Sequence, residues 1–188
     1  MNTIKVFIFI AMLMQYQCKS SKQDPQVSSK IEKEELTTLQ KVDKSLPYFI
    51  NMQGDTIQKV IKSDAEWKAQ LTEFEYYVLR SKGTERAFTG DLLKIKKEGL
   101  YCCKGCGYPL FRSQEKYESG TGWPSFYKPA DPNAIAEDED YDIGYKRTEV
   151  MCGKCGGHLG HVFDDGPRPT GLRYCLNSVS LTFVEAKD

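Results

Sequence analysis

Cys103-Lys-Gly-Cys106 and Cys152-Gly-Lys-Cys155 are two Cys-x-x-Cys motifs separated by 45 residues, and they decide how this chain folds. Each motif places two sulfurs on a tight, glycine-containing turn, where both can reach one tetrahedral ion. Together they predict a four-cysteine zinc site in which the metal joins distant strands. Because four protein ligands leave no open position for water, the predicted role of the zinc is structural.

Two other uses of these cysteines are disulfides, which an exported protein could form, and a redox-active Cys-x-x-Cys. Glycines surround both motifs, as suits metal-binding turns: Gly105, Gly107, Gly153, Gly156 and Gly157. A redox pair normally opens a helix and needs no second copy. Zinc is therefore the preferred interpretation.

Residues 1–18 have the pattern of a signal peptide. Lys5 follows a polar start, and the apolar run from Val6 to Met14 is too short to cross a bilayer as a mature helix. We therefore expect export to the cell envelope or periplasm. Cys18 resembles the lipid-attachment cysteine of bacterial lipoproteins, although Gln17 stands where that signal has a small residue; a plain cleaved signal or an unlipidated anchor is the alternative. Contact with a membrane is expected only through such an anchor.

The rest of the chain divides into a flexible tether, residues 19–56, and one folded domain, residues 57–188. The tether is rich in Lys, Gln, Ser and Glu, a composition that buries too little apolar surface to fix a shape. The 26 basic and 26 acidic residues cancel, so nucleic acid is not an expected partner, and we expect a monomer.

Two capping boxes predict two short helices at the start of the domain. Ser63 precedes Glu66 by three residues, and Thr72 precedes Glu75 in the same way. Gly83 is the predicted stop of the second helix.

After Gly90, short apolar runs separated by Gly and Pro predict antiparallel strands, including one run from Leu176 to Val184. The expected fold class is mainly β or α+β. The acidic cluster Asp138, Glu139, Asp140 and Asp142 is interpreted as a solvated loop without chemistry.

Cys175 is the candidate nucleophile. If Gly171-Leu-Arg-Tyr-Cys-Leu-Asn-Ser178 is a strand, Arg173, Cys175 and Asn177 lie on one face. A permanently charged guanidinium near the thiol favours the thiolate, which is the reactive form.

His158 and His161 are the only two histidines of the chain and follow the second Cys-x-x-Cys motif directly. Zinc binding is an alternative role for them, but four thiolates already complete the coordination of the ion. Proton donation near neutral pH is therefore the preferred role. Trp123, in a glycine-framed loop, either fills the core or faces a substrate.

Seven segments, in this order, resemble the methionine-R-sulfoxide reductase family of the B type over about residues 60 to 184. They are Lys82-Gly-Thr-Glu-Arg-Ala-Phe-Thr89, Cys103-x-x-Cys106, Gly122-Trp-Pro-Ser-Phe126, Cys152-x-x-Cys155, His158-Leu-Gly-His-Val-Phe163, Asp165-Gly-Pro167 and Arg173-Tyr-Cys-Leu-Asn-Ser178.

The resemblance implies a mainly β fold of two small antiparallel sheets, a β-tent, with short N-terminal helices and a structural zinc ion away from the active site. It implies that Cys175 attacks the sulfoxide sulfur of methionine-R-sulfoxide in oxidised proteins, releases methionine and becomes a sulfenic acid. Trp123 and Phe163 then form the apolar substrate pocket.

The remaining site residues take supporting roles by the same resemblance. His158 and His161 hold the sulfoxide oxygen, directly or through water. Asp165, Arg173 and Asn177 orient the histidines, stabilise the thiolate and position polar groups.

The chain departs from one common version of this family at Thr121, where many members carry a resolving cysteine. Cys102 is either a substitute resolving cysteine or a small buried residue, and the second reading is preferred. Without a resolving cysteine, a thioredoxin-like protein or another thiol would reduce the sulfenic acid directly.

Two further classes of function remain to be distinguished. A non-catalytic zinc-ribbon module that binds a protein partner would not require the strand with Arg173, Cys175 and Asn177 beside two histidines. A general thiol oxidoreductase would use a Cys-x-x-Cys motif that is not committed to metal.

Overall fold

A computed structural model describes residues 47–141 and 144–187. The predicted signal segment, the tether up to residue 46 and Asp142 lie outside these residues. Within the described ranges, no helix combines the length and the apolar character needed to cross a membrane.

The described residues form two α-helices and eleven β-strands, which we number in chain order. The helices are α1 (Asp64–Gln70) and α2 (Glu73–Ser81). The strands are β1 (Tyr48–Ile50), β2 (Thr56–Gln58), β3 (Gly99–Cys103), β4 (Pro109–Arg112), β5 (Lys116–Tyr117), β6 (Ser125–Phe126), β7 (Ile135–Asp140), β8 (Arg147–Cys152), β9 (His158–Phe163), β10 (Arg173–Leu176) and β11 (Leu181–Glu185).

The strands pair antiparallel into two main sheets and a hairpin. The six-stranded sheet has the order β5-β6-β10-β9-β8-β7, and the three-stranded sheet has the order β11-β3-β4. Strands β1 and β2 form the hairpin. The mainly β prediction, with two antiparallel sheets and short helices before them, is confirmed.

Both predicted capping boxes are present. The Ser63 amide donates to the Glu66 carboxylate at 2.8 Å, and the Thr72 amide donates to Glu75 at 2.9 Å. The end of α2 differs from the prediction, because the left-handed cap is Lys82, with φ of 56°, and not Gly83. This conformation accompanies an ion pair of 2.6 Å between the Lys82 ammonium and Glu149 of β8.

Among the described residues, those before the predicted boundary at Ile57 already contact the domain. The Phe49 ring contacts Tyr108 edge-on with 5.7 Å between centroids, and the Met52 amide donates to Asp131 at 2.7 Å. Strands β1 and β2 have three residues each, and none of these residues is fully buried, so their sequence carries little periodic signal.

Aromatic rings join the two main sheets. Phe126 of the six-stranded sheet lies 4.9 Å from Tyr101 and 4.7 Å from Phe111 of the three-stranded sheet, measured between ring centroids. All three residues are fully buried. Burial of one such side chain contributes roughly 2 to 3 kcal/mol, which makes this cluster a main source of cohesion between the sheets.

The predicted strand from Leu176 to Val184 is wrong as a single element. Strand β10 ends at Leu176, a 3₁₀ turn covers Ser178–Ser180, and β11 then runs in the other sheet. Val179 lies in this turn and does not continue the face of Cys175. The chain therefore changes sheets immediately after its candidate nucleophile.

Candidate active site

Cys175 lies on a central strand of the six-stranded sheet. It pairs with Ser125 of β6 on one side and with His161 of β9 on the other. Neighbours on both sides fix the register of β10 and thus the direction of the Cys175 side chain.

A cavity of about 110 Å³ opens beside this thiol. Its walls bring together five residues that the sequence singled out, which are Trp123, His161, Phe163, Cys175 and Asn177. Drug-sized ligands need about 300 Å³ or more, so this volume suits the end of a single side chain. The Cys175 thiol, the Trp123 indole and the His161 imidazole thus line the same cavity.

Gly160 lets β9 approach the strand of the nucleophile closely. A Cβ at this position would lie 2.1 Å from the Cys175 carbonyl oxygen, which is well inside contact distance. The glycine between the two histidines is therefore required by the packing of the site.

Glu85 connects two residues that line the cavity, Trp123 and Asn177. No role was predicted for Glu85 from the sequence. Its carbonyl accepts from the Trp123 indole at 3.1 Å, and its amide donates to Asn177 Oδ1 at 2.9 Å. Its buried carboxylate accepts from the amides of Ser178 and Val179 at 2.7 and 3.0 Å. Only its place in the Lys82 to Thr89 segment could have indicated this function.

A β-bulge brings the two histidines to the same side of the sheet. Residues three apart on a regular strand point to opposite faces. The pairing of β8 with β9 shifts by one residue between Val150 and Met151, so the rings of His158 and His161 meet with 5.5 Å between centroids.

Each histidine bonds to a carboxylate that in turn pairs with a cation. His158 Nδ1 lies 2.7 Å from Glu149, whose other oxygen takes the Lys82 ammonium. His161 Nε2 lies 2.5 Å from Asp140. An ionised carboxylate only accepts, so each of these ring nitrogens carries the proton of the neutral imidazole.

Asp140 corrects the interpretation of the acidic cluster as a solvated loop. This residue ends β7, is buried, and also pairs with Arg147 at 2.5 Å. Its neighbours Asp138 and Glu139 are exposed as expected. A count of acidic residues could not distinguish the one that points inward.

Burial keeps both imidazoles neutral over a wider pH range. It lowers the pKa of His158 and of His161 below the usual value, and the hydrogen bonds to Glu149 and Asp140 oppose that shift. His158 is not one of the residues that line the cavity. Its buried Nε2 has no hydrogen-bond partner in the described part of the chain. His161 therefore stands in the cavity wall, with His158 behind it.

Asp165 does not contact the histidines as the resemblance implied. Its carboxylate binds the Arg173 guanidinium through two bonds of 2.7 and 2.8 Å. This pairing lowers the pKa of Asp165 and raises that of Arg173. The guanidinium also lies over the Phe163 ring, 4.4 Å from its centroid, so the pair braces that wall of the cavity.

Thr121 is in contact with the candidate nucleophile, whereas Cys102 is not among the residues that line the cavity. Thr121 Oγ1 lies 3.6 Å from Cys175 Sγ. Cys102 is buried in β3 of the three-stranded sheet, and burial raises the pKa of its thiol. This placement supports the reading of Cys102 as a packing residue.

The four predicted metal ligands converge. Cys103 and Cys155 are separated by 3.6 Å between sulfurs, as are Cys106 and Cys152, and all four sulfurs lie within 4.8 Å of one another. Sulfurs at about 2.3 Å from a tetrahedral zinc ion would be about 3.8 Å apart, so the cluster fits such an ion. The short distances link one motif to the other, and all four cysteines are free.

The two motifs have the same backbone geometry. The Gly107 amide donates to the Cys103 carbonyl and the Gly156 amide to the Cys152 carbonyl, each at 2.8 Å. Both glycines have positive φ, of 71° and 67°, a conformation in which glycine carries little steric cost. The local sequence thus builds two equivalent turns that close on one metal position.

Fold and site together define a mainly β domain with a cavity that contains a free cysteine and a separate cluster of four cysteines that could hold a metal ion. The SelR domain profile matches residues 71–185. This chain belongs to the SelR domain family, that of the B-type methionine sulfoxide reductases.

Three relatives show how far the likeness extends. The peptide methionine sulfoxide reductase MsrB of Leptospira interrogans is 58% identical over 125 residues, which cover 66% of this chain and 95% of the relative. That of Hahella chejuensis is 56% identical over 130 residues, covering 69% of this chain and 94% of the relative. That of Methanosarcina mazei is 54% identical over 130 residues, covering 69% and 93%.

The Glu149 carboxylate is expected to set the titration of His158. In Glu149→Gln, the interaction that raises the pKa of His158 is removed while burial still lowers it, so protonation will begin at a lower pH than in the wild type. The two imidazoles can be followed by NMR across pH 4 to 8, a range of roughly two units around their usual value.

Glu139→Gln is the matched control, because Glu139 is an exposed carboxylate paired with Lys146, which lies just before β8. It should leave both histidine titrations unchanged. An unaltered His158 titration in Glu149→Gln, or an equal shift in the control, would contradict the assigned contact.

Proposed function

We propose that this protein is an oxidoreductase that reduces methionine-R-sulfoxide to methionine, with Cys175 as the attacking thiolate. The observation that carries the proposal is the cavity in which Cys175, Trp123 and His161 meet. The relatives bear the name peptide methionine sulfoxide reductase, which supports oxidised methionine in proteins as the substrate.

The first reaction step transfers one oxygen atom from substrate to enzyme. The Cys175 thiolate attacks the sulfoxide sulfur and forms a sulfur–sulfur bond, and the sulfoxide oxygen is protonated. The oxygen then moves to Cys175, the sulfur–sulfur bond and the substrate's sulfur–oxygen bond break, and methionine leaves. One thiolate, one sulfoxide and one proton thus give one sulfenic acid and one thioether. Cysteine sulfur is oxidised and methionine sulfur is reduced.

The sulfoxide oxygen becomes more negative during the attack and needs a proton donor. His161 is the imidazole in the cavity wall, and Asp140 holds its Nε2–H, so an incoming proton binds Nδ1. We infer a direct role for His161, because it lines the cavity, and an indirect role for His158, which bonds to Glu149. Activity that depends on this donor should decline as pH rises, since the neutral ring cannot donate from Nδ1.

The apolar walls select the substrate. The Trp123 ring, fixed through its indole N–H, and the Phe163 ring, braced by Arg173, leave space for a methyl group and a thioether chain. A rigid cavity of this size accepts one arrangement of oxygen, methyl and chain around the chiral sulfur. This supports selectivity for a single epimer, and membership of the B-type family indicates that it is the R epimer.

External thiols regenerate the enzyme. The residue in contact with Cys175 at the position of the common resolving cysteine is Thr121, and a hydroxyl cannot form a disulfide. Two thiols of a thioredoxin-like reductant therefore convert the sulfenic acid to the thiol, and the products are one disulfide and one water molecule.

Zinc is the metal that best suits the four-cysteine site. Cys103, Cys106, Cys152 and Cys155 would hold the ion, since four thiolates in tetrahedral arrangement favour zinc and leave no position for a reacting water. When bound, the metal would cross-link the two sheets, because Cys103 ends β3 and Cys152 ends β8. None of its ligands lines the cavity.

The non-catalytic zinc-ribbon alternative has no observation in its favour. It leaves the cavity, the buried carboxylate–histidine pairs and the Glu85 network without a purpose. A general thiol oxidoreductase based on a Cys-x-x-Cys motif likewise fails to account for four sulfurs arranged around one point.

From the signal-peptide pattern of residues 1–18 we propose that the protein is exported. We further propose that a lipid is attached at Cys18. Expression of the full chain in a bacterium, followed by fractionation and labelling with a fatty acid, tests both. Export predicts enzyme in the envelope fraction. Lipidation predicts label in the wild type and none in Cys18→Ser, and enzyme confined to the cytosol would refute the proposal.

Turnover is expected for the R epimer alone. Each epimer of a methionine sulfoxide peptide is offered separately with dithiothreitol, and released methionine is measured. Cys175→Ser should lose at least about a thousandfold in rate, because the hydroxyl is a far weaker nucleophile near neutral pH. Without reductant, one equivalent of R-sulfoxide should leave Cys175 reactive to dimedone.

Cys102→Ser is the matched control, since it removes a thiol that lies outside the cavity lining. It should keep wild-type turnover and form the same dimedone adduct. Turnover of the S epimer, activity in Cys175→Ser, or a disulfide that contains Cys102 in place of the adduct would each contradict a named part of the proposal.

Metal content gives a separate test of the zinc site. Cys106→Ser removes the most exposed ligand and should reduce bound zinc from about one ion per chain to a small fraction, with a loss of several kcal/mol in the free energy of unfolding. Elemental analysis and urea unfolding measure these quantities. Cys102→Ser, one residue from the site, should retain the metal, and equal zinc in Cys106→Ser would rule out the assigned ligand set.

A further inference from the structure

The hydroxyl of Thr121 belongs to a chain of hydroxyl groups that ends at the nucleophile. Thr121 Oγ1 lies 2.8 Å from Ser119 Oγ, which lies 2.7 Å from Ser125 Oγ. Ser125 is fully buried on β6, directly opposite Cys175. Three side chains with no charge thus connect the protein interior to the reacting sulfur.

The hydrogen positions along this chain follow from what the sulfur can do. A thiolate only accepts, so the Thr121 hydroxyl must donate to it across the 3.6 Å contact. Thr121 Oγ1 is then free to accept from Ser119. The single hydroxyl hydrogen of Ser125 has two acceptors in reach, Ser119 Oγ at 2.7 Å and the Trp123 carbonyl at 3.2 Å, and the shorter contact directs it to Ser119. Hydroxyls that all donate in one direction strengthen one another, and the last donor meets a charge.

We propose that Thr121 is a further catalytic residue, whose hydroxyl donates to the Cys175 thiolate at the end of the Ser125–Ser119–Thr121 chain. This inference rests on the proposed function of Cys175. It gives the residue that stands in the place of a resolving cysteine a positive role in the attack step. The chain stabilises the charged sulfur before the substrate binds, and no redox chemistry occurs at Thr121 itself.

Other groups near Cys175 affect the same thiolate and stay constant in the test. Arg173 lies on the same face of β10, His161 is the partner on β9, and Tyr117 approaches from β5. Burial raises the pKa of Tyr117, so its hydroxyl remains protonated near neutral pH. The experiment therefore changes only the hydroxyls.

The rate of alkylation of Cys175 by iodoacetamide is measured against pH in the full-length, metal-loaded protein, and the modified peptide is identified by mass spectrometry. Thr121→Val keeps the branched shape and removes the donor. Its alkylation rate at pH 7 should fall about tenfold, and the midpoint of the profile should move to higher pH, as expected for one lost hydrogen bond to a charged group. Thr121→Ser, which retains the hydroxyl, should stay within about twofold of the wild type.

Two further variants keep the proposal open to refutation. Ser119→Ala removes the hydroxyl that contacts Thr121 and should shift the pH profile in the same direction by a smaller amount. The proposal can therefore be tested even if Thr121→Val folds poorly. Thr182→Val makes the same substitution at an exposed position on β11 and should change nothing. Identical profiles for wild type, Thr121→Val and Ser119→Ala, with folding and zinc content unchanged, would overturn the proposal.

Alkylation requires no sulfoxide, so this result is independent of the reductase assay. If the wild-type protein does not reduce R-sulfoxide, the proposed function is refuted. A wild-type-like alkylation profile in Thr121→Val beside normal wild-type turnover would refute only the role of Thr121.

Discussion

The site depends on one buried carboxylic acid side chain and its backbone. Glu85 lies in the segment after α2, far from Cys175 in sequence, and makes four hydrogen bonds to groups around the cavity. Two of them hold the turn that follows β10, at the point where the chain leaves the six-stranded sheet. Hydrogen bonds from amides to a carboxylate contribute about 1.5 to 3 kcal/mol each, which is enough to hold the turn between β10 and β11.

This constraint explains how the small cavity keeps its shape. The same residue fixes Trp123 through its carbonyl and Asn177 through its amide, so the indole wall and the strand of the nucleophile cannot move independently. On the opposite wall, the Arg173–Asp165 pair supports the Phe163 ring. The walls of the cavity are thus defined by hydrogen bonds as well as by packing, which is the condition for discrimination between two epimers of similar volume.

The sequence predicted the parts of this structure whose signal is local. Capping boxes identified both helices, the paired Cys-x-x-Cys motifs identified the metal site, and alternation along β10 placed Arg173 and Cys175 on one face. It did not predict partners that the fold brings from a distance. Asp140 was counted as part of a solvated cluster because only the pairing of β7 with β8 shows that its side chain points inward. The strand break after Leu176 was missed because its cause, Glu85, is remote in sequence.

The histidine pair shows what spacing along the sequence does not reveal about the site. A separation of three residues would normally divide His158 and His161 between opposite faces, and the bulge at Val150 and Met151 cancels that division. The bulge also brings the two rings into edge-on contact, and His161 lines the cavity while His158 bonds to Glu149. Each imidazole then has a carboxylate partner that is itself neutralised by a cation, which limits how strongly the carboxylate favours the protonated ring. Both imidazoles are therefore neutral before the reaction, and burial disfavours their protonated form. A proton bound to such a ring is readily transferred to the negative charge that develops on the sulfoxide oxygen.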